Sequence, residues 1–128
     1  MLDHVGITVA DFERSKVFYK SALAPLAIAL LADLTPADTG AHAFAGFGSG
    51  SKPFFWIGDT GSPRGSVHVA FVALRRDDVK AFYSAALAAG GRDNGAPGPR
   101  PHYHANYFGA FVLDPDGNNI EAVCHTPE

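Results

Sequence analysis

The sequence predicts an α+β fold of two βαβββ modules whose strands form a cup-shaped mixed sheet. The first observation is an internal repeat, because the chain aligns with itself without a gap at an offset of half its 128 residues. The matched pairs are His4-Val5 with His68-Val69, Lys16 with Lys80, Phe18-Tyr19 with Phe82-Tyr83, and Phe44 and Phe47 with Phe108 and Phe111. The second is the same pattern of strand, helix and three short strands in each half. We therefore predict one duplicated domain over residues 1–128, with halves 1–60 and 66–125.

Each half opens with a strand and continues into a helix. Large aliphatic residues alternate with small or polar ones over residues 3–10 and again over 67–73, which is the period of a half-buried strand. Apolar residues at helical spacing follow each strand. Asp11 is the predicted N-cap of the first helix, and Asp77 or Asp78 that of the second.

Breaks rich in Gly, Pro and Ser divide the rest of each half into three shorter strands. The predicted strands are 27–34, 41–47 and 54–58 in the first half, and 92–96, 106–113 and 119–124 in the second. Residues 59–65 join the halves. Residues 97–105 form a long Pro-rich loop, and such loops inside compact domains are more often functional than merely connecting.

Composition excludes several classes of function. The net charge is -3 and no basic stripe runs along the chain, so we do not expect nucleic-acid binding. No apolar run approaches the ~20 residues that span a bilayer, and the first residues do not resemble a signal peptide, so we expect no membrane association. Cys124 is the only cysteine and cannot form an intrachain disulfide, which fits a reducing cytoplasm.

Two histidines and one glutamate are the strongest candidate site. His4 and His68 occupy equivalent places in the two first strands, on the face opposite the large aliphatics. Glu121 lies in the last strand, where an unpaired buried carboxylate would be costly. If these three side chains face one cavity, they form a two-histidine, one-carboxylate set with coordination positions left open. Polar residues on a solvent-facing strand surface are the alternative.

Three segments of the sequence, which contain these three residues, resemble the vicinal oxygen chelate superfamily. That superfamily includes glyoxalase I, fosfomycin-resistance enzymes, bleomycin-resistance proteins and extradiol dioxygenases. The resemblance is carried by DHVGITV, SVHVAF and FVLDPDGNNIEAV, and it extends over essentially the whole chain. It implies the paired βαβββ fold, with His4, His68 and Glu121 at three metal-ligand positions. It also implies one divalent metal ion to which two neighbouring oxygens of the substrate bind. Such a ligand set accepts Fe, Mn, Ni, Co or Zn.

Departures from the family patterns reduce the number of activities that the resemblance implies. At the repeat offset, Glu121 corresponds to Ile57, so the fourth ligand of glyoxalase I is missing and that activity is not expected. The spacing from His104 to Glu121 is similar to that of the extradiol dioxygenase signature. A phenylalanine, Phe111, stands where that signature has a tyrosine, which argues against ring cleavage.

The sequence matches the patterns of fosfomycin-resistance enzymes and bleomycin-binding proteins only in part. Fosfomycin-resistance enzymes share the three-ligand pattern but need basic groups for a phosphonate, and only Arg92 and Arg100 lie near the second-half loop. Bleomycin-binding relatives generally lack the metal ligands that this chain keeps.

Residues around the Pro-rich loop complete the predicted site. We expect His104 and Tyr107 to steer protons or orient the substrate, since a neutral imidazole near a metal can act as a base. Trp56, Tyr103 and Phe111 are the predicted substrate-binding residues. His102 is left without an assigned role.

Two functions from different classes remain open. The first is a metal-dependent enzyme, of lyase or dioxygenase type, acting on a small oxygen-bearing molecule. The second is a non-catalytic protein that binds an antibiotic or metabolite, as bleomycin-resistance proteins do, and a metal-free remnant is a third. Relatives build the cup within one chain or by exchanging halves between two, so we expect a homodimer but leave the composition of the site open.

Overall fold

The chain folds into two modules with the same order of elements. The computed structural model describes residues 1–63 and 65–128, so Arg64 of the predicted joint 59–65 lies outside the described residues. The first module contains β1 (Val5–Thr8), α1 (Phe12–Leu23), β2 (Ala29–Leu34), the short α2 (Pro36–Thr39), β3 (Phe44–Ser49) and β4 (Lys52–Gly58). The second contains β5 (His68–Val72), α3 (Arg76–Ala88), β6 (Arg92–Pro99), β7 (Phe108–Leu113) and β8 (Asn119–Cys124).

Each module builds its own four-stranded mixed sheet. The strand order is β1-β4-β3-β2 in the first sheet and β5-β8-β7-β6 in the second. In both sheets the first strand runs parallel to the fourth, and the other neighbours are antiparallel. This repeated topology confirms the predicted pair of βαβββ modules. Within residues 1–63 and 65–128, no helix is long and apolar enough to cross a membrane.

One apolar core joins the two modules. Helices α1 and α3 contact each other, and the inner faces of both sheets contribute to the same cluster of buried side chains. Its largest fully buried members are Tyr19, Phe18, Phe47, Phe55, Phe82, Leu23, Ile57 and Ile120. A Cβ at Gly91 would lie 2.9 Å from the Phe18 ring and 2.5 Å from Val112, so glycine permits the close approach of the modules here. The core therefore fixes the two sheets relative to each other.

The helix caps agree with the sequence in one module and differ in the other. Asp11 caps α1 as predicted, because its carboxylate accepts the Arg14 N–H at 3.1 Å. The prediction for α3 is wrong, since Arg75 is the N-cap residue. The two aspartates lie in the first turn of α3, where their charges favour the positive end of the helix. The Arg76 N–H instead donates to the Glu128 carboxylate at 2.8 Å.

The strand register corrects the predicted equivalent of Glu121. Glu121 pairs with Ala70, two residues after His68. The matching position in the first module is Gly6, two residues after His4, and Gly6 pairs with Trp56. Trp56, and not Ile57, therefore occupies the place of the fourth ligand, because the two modules differ by one residue between their first and last strands. An indole cannot ligate a metal, so the predicted absence of a fourth ligand is unchanged.

Other boundaries moved by a few residues. Strand β1 begins at Val5, so His4 lies immediately before it, whereas His68 is the first residue of β5. Strand β6 extends to Pro99, which shortens the predicted Pro-rich loop to residues 100–107.

A buried carboxylate links the modules through hydrogen bonds. Asp114, 2% exposed, follows β7 and accepts the hydroxyl of the fully buried Tyr19 on α1. It also accepts the N–H groups of Asp116 at 2.9 Å and Asn118 at 2.8 Å. Burial, followed by the nearby Asp114 charge, raises the pKa of Tyr19 well above its ordinary value. The folded protein therefore holds the Tyr19 proton more tightly than the unfolded chain does.

Replacement of Tyr19 by phenylalanine tests this link in two ways. At neutral pH the variant should lose about 1–3 kcal/mol of unfolding free energy, because Asp114 keeps its burial but loses a donor. Above pH 10.0, the ordinary Tyr pKa, the unfolded wild type releases this proton first. The unfolding free energy of the wild type should therefore fall as the pH rises above this value. Urea titrations from neutral to alkaline pH should show a smaller decrease for Tyr19→Phe. Parallel pH curves for the two proteins would contradict the assignment.

Candidate active site

A polar pocket opens on the outer face of the second sheet. Its volume is about 590 Å³, and it is lined by His68, Tyr103, His104, Tyr107, Phe111, Asn119 and Glu121. Strands β5 and β8 supply the imidazole and the carboxylate, and β7 and the loop before it supply the aromatic side chains. All of these residues except Asn119 were predicted from the sequence as site residues.

Glu121 is the centre of this pocket. Its side chain is only 2% exposed, and its Oε1 lies 3.2 Å from the Nε2 of His68. Its Oε2 accepts the hydroxyl of Tyr107. A Cβ at Gly109 would lie 3.2 Å from Oε2 and 3.2 Å from the Tyr107 ring, so glycine leaves room for this hydrogen bond. The carboxylate is thus held from both sides in a fixed orientation.

The ring of His68 is held with one nitrogen directed at Glu121. Its Nδ1 lies 3.0 Å from the carbonyl oxygen of Asn119, and because a carbonyl only accepts, Nδ1 donates. In the neutral ring, Nε2 therefore presents a lone pair to a carboxylate oxygen. Two acceptors at 3.2 Å repel each other unless a proton or a metal ion lies between them. Metal-binding histidines are commonly oriented by such a bond to a backbone carbonyl.

Asn119 adds a polar atom that sequence reasoning missed as a site residue. Among the described residues, its buried side-chain oxygen finds no hydrogen-bond partner. Asn119 lines the same pocket, two residues before Glu121 on the same face of β8. An imidazole nitrogen, a carboxylate and an amide oxygen are all suitable ligands for a divalent ion. The donor chemistry of the pocket therefore fits the metal that the resemblance implies.

Tyr107 reaches Glu121 although it precedes β7. Loss of solvent around the hydroxyl, and then the hydrogen bond to Glu121, raises the pKa of Tyr107 well above its ordinary value. The hydroxyl therefore remains a hydrogen-bond donor at neutral pH.

His104 pairs with His125, which was not predicted as a site residue. Its Nε2 lies 2.8 Å from the Nδ1 of His125, which follows β8, and the rings are stacked. Its Nδ1 accepts the Asn106 N–H at 3.1 Å, so Nε2 must carry the proton of the neutral ring and donate it to His125. Both nitrogens of His104 are thus engaged. Both rings also contact Tyr107 at centroid distances of 5.3 Å.

The aromatic residues divide between two places. Phe111 stacks on His68, with ring centroids 6.4 Å apart, and Tyr103 lies edge-on to Tyr107 at 4.9 Å. Trp56 lies outside this pocket, on the sheet of the first module. The predicted substrate-binding set is therefore only partly brought together.

The structure does not bring His4 to His68 and Glu121. The ring of His4 is 58% exposed and hydrogen bonded to Asp3 at 2.6 Å. Hydrogen bonds from Lys52, and then from His4, lower the pKa of Asp3. Over residues 1–63 and 65–128, no three His, Cys, Asp or Glu side chains are grouped closely enough to hold a metal. One chain thus presents two of the three predicted ligands together.

A protein-family profile matches nearly the whole chain. The profile of the Glyoxalase/Bleomycin resistance protein/Dioxygenase superfamily matches residues 1–122. No curated protein matches the sequence.

Solved structures share the fold over nearly the whole chain. A glyoxalase/bleomycin resistance protein from Albidiferax ferrireducens T118 is 28% identical, with a TM-score of 0.78 over 95% of this chain and 97% of that one. A family enzyme from Burkholderia phytofirmans PsJN is 18% identical, with a TM-score of 0.70 over 98% of each chain. Glyoxalase I from Zea mays is 23% identical, with a TM-score of 0.66, and aligns over 99% of this chain but 45% of its own.

The hydrogen bond between Tyr107 and Glu121 can be tested by stability. Tyr107→Phe should lower the free energy of unfolding by about 1–3 kcal/mol, because a nearly buried carboxylate oxygen loses its donor. Tyr103→Phe is the matched control, since that side chain is 58% exposed and should change stability by less than about 0.5 kcal/mol. Equal urea midpoints for the two variants would refute the role of Tyr107 in holding Glu121.

Proposed function

Because its residues 1–122 match the family profile, the chain belongs to the Glyoxalase/Bleomycin resistance protein/Dioxygenase superfamily, and we propose that it is a metalloenzyme of this family. The observation that carries the proposal is the approach of two acceptor atoms, His68 Nε2 and Glu121 Oε1, at 3.2 Å in a polar pocket. His68 and Glu121 would hold a divalent ion here, and its positive charge would offset their repulsion. Fe, Mn, Ni, Co and Zn are all compatible with this donor set.

The third ligand in this proposal is His4 from a second copy of the chain. Within one chain, His4 stays exposed beside Asp3 and apart from the other two ligands. A homodimer that brings His4 of one copy to the pocket of the other completes the two-histidine, one-carboxylate set. The resemblance implies relatives that exchange halves between two chains, and this proposal extends that arrangement to the metal site.

The chain's own residues prepare the pocket for an oxygen-bearing substrate. When bound, the metal would act as a Lewis acid on neighbouring substrate oxygens. Tyr107 fixes the orientation of Glu121, and the Asn119 carbonyl fixes that of His68. Phe111 and Tyr103 provide aromatic walls of the pocket.

Tyr107 is the proposed proton-handling residue, and His104 is proposed to position it. The Tyr107 hydroxyl remains protonated and can donate to a substrate oxygen if it leaves Glu121. Because both nitrogens of His104 are engaged, its role is to orient the Tyr107 ring rather than to accept a proton directly. The reaction is of lyase or dioxygenase type, and the indole at the fourth-ligand position disfavours glyoxalase I chemistry.

A second function is supported by the aromatic residues of the pocket. Tyr103, Tyr107 and Phe111 line a volume of about 590 Å³, within the range of small-molecule sites. A non-catalytic protein that binds an antibiotic or metabolite would need these walls but not the metal.

Metal content separates the two functions. Tag-free wild type, purified anaerobically without chelators, should contain about one metal ion per chain by plasma mass spectrometry. His4→Ala, His68→Ala and Glu121→Ala should each lose most of it, while the exposed His42→Ala serves as the matched histidine control. Metal retained in all three ligand variants would refute the site. No metal after each ion is added back, together with calorimetric binding of a small molecule by chelated protein, would favour the second function.

Refolding two metal-deficient variants together tests whether the metal site is formed by residues of two chains. His4→Ala and Glu121→Ala chains, unfolded and refolded together, should regain about a quarter of the wild-type metal. Half of the dimers are then mixed, and each mixed dimer contains one site with both substitutions and one with neither. Refolding each variant alone should restore none. A mixture as empty as its components would show that all ligands come from one chain.

A further inference from the structure

The outer face of the first sheet carries an aromatic surface where the second module has its carboxylate. The indole of Trp56 lies flat across β3, because a Cβ at Gly46 would be only 2.8 Å from the ring carbons Cη2 and Cζ3. Gly6 flanks the same residue on β1, and a Cβ there would lie 3.8 Å from the Cβ of Trp56. Strand residues without side chains therefore let the indole rest on the backbone.

A second ring is seated in the same way. Phe44 pairs with Gly58 in the ladder between β3 and β4, and a Cβ at Gly58 would lie 2.8 Å from the Phe44 ring. Trp56 and Phe44 both remain partly exposed and line one cavity. We call these two rings the aromatic floor.

Two hydroxyl groups stand at the edge of the aromatic floor. The side-chain oxygens of Thr8 and Thr60 are 2.8 Å apart, and both residues line the cavity. When one hydroxyl donates to the other, the acceptor hydroxyl keeps its own hydrogen for another partner. The pair can therefore donate a hydrogen bond to an oxygen held over the floor.

The size of the cavity limits the ligand. Its volume is about 190 Å³. An apolar cavity of ~150 Å³ binds benzene, whereas sites for drug-sized molecules begin at ~300 Å³. One six-membered ring with a small substituent therefore fits this cavity.

We propose that the aromatic floor binds a single aromatic ring bearing an oxygen substituent, with the ring on Trp56 and the oxygen at the hydroxyls of Thr8 and Thr60. Offset stacking on the indole favours an aromatic ring over an aliphatic ring of the same size. Because Trp56 occupies the place of the fourth ligand, the proposal rests on the proposed function and names the class of ligand held beside that site. The contacts to the ring and to its oxygen use neither His68 nor Glu121 and do not require the metal.

The chain offers a direct probe, because Trp56 is its only tryptophan. Phenol should change the intrinsic fluorescence of full-length protein saturably, with a dissociation constant of about 1 mM or below, in the presence of a chelator. Cyclohexanol, which has the same size and hydroxyl but no π system, should bind about two- to tenfold more weakly in competition with phenol. Equal binding of the two alcohols, or a fluorescence change that does not saturate, would overturn the proposal.

Substitutions at the site test where phenol binds. Calorimetry measures the affinity of each variant, because its signal does not depend on tryptophan. Gly46→Ala should weaken phenol binding at least about fivefold by displacing the indole, and Trp56→Leu about two- to tenfold by removing the stacking partner. Thr60→Val should weaken phenol binding without affecting that of toluene, which has no oxygen. His42→Ala should leave both unchanged. Phenol affinity unaltered by Trp56→Leu would overturn the site even if Gly46→Ala fails to fold.

Discussion

The buried Asp114 carboxylate is the polar constraint that holds the two modules together across their shared apolar core. It accepts hydrogen bonds from Tyr19 of the first module and from the turn of the second. The same turn carries Asp116, whose carboxylate accepts the Ala10 N–H at 3.3 Å and lies 3.7 Å from the guanidinium of Arg14. Because this turn leads directly into β8, the contacts that join the modules also fix the strand that carries Glu121. The site is therefore positioned by an interaction on the opposite side of the sheet.

Duplication gave the two modules one framework, and their equivalent positions have diverged in chemistry. The strand pairings match Glu121 with Trp56, Ala70 with Gly6 and Phe111 with Gly46. In the second module the fourth strand offers a carboxylate, and a neighbouring aromatic ring supports the histidine. In the first module the fourth strand offers an aromatic ring, and its neighbours are glycines that let it lie flat. One face of the repeat is thus suited to a metal and the other to an apolar ring.

The sequence predicts those features that depend on local periodicity. Alternation predicted the strands and the approach of His68 to Glu121, and the cap at Asp11 followed from residue type. Features that depend on diagonal contacts across strands were missed. Tyr107 reaches Glu121 only because the intervening residue is Gly109, and His125 meets His104 only after both loop and tail have folded. The equivalence of Ile57 to Glu121 failed because an ungapped offset cannot detect a one-residue difference inside a repeat.

The segment after β8 connects two distant parts of the second module. His125 accepts a hydrogen bond from the loop that bears Tyr103 and Tyr107, and Glu128 caps α3 in place of a local side chain. The N-cap residue of α3, Arg75, makes no side-chain cap, and Glu128 from the segment after β8 provides one instead. Trimming of this tail residue by residue would release the helix first and the pocket loop last. The order of residues along the tail therefore sets the order in which the cap on α3 and the hydrogen bond to His104 are lost.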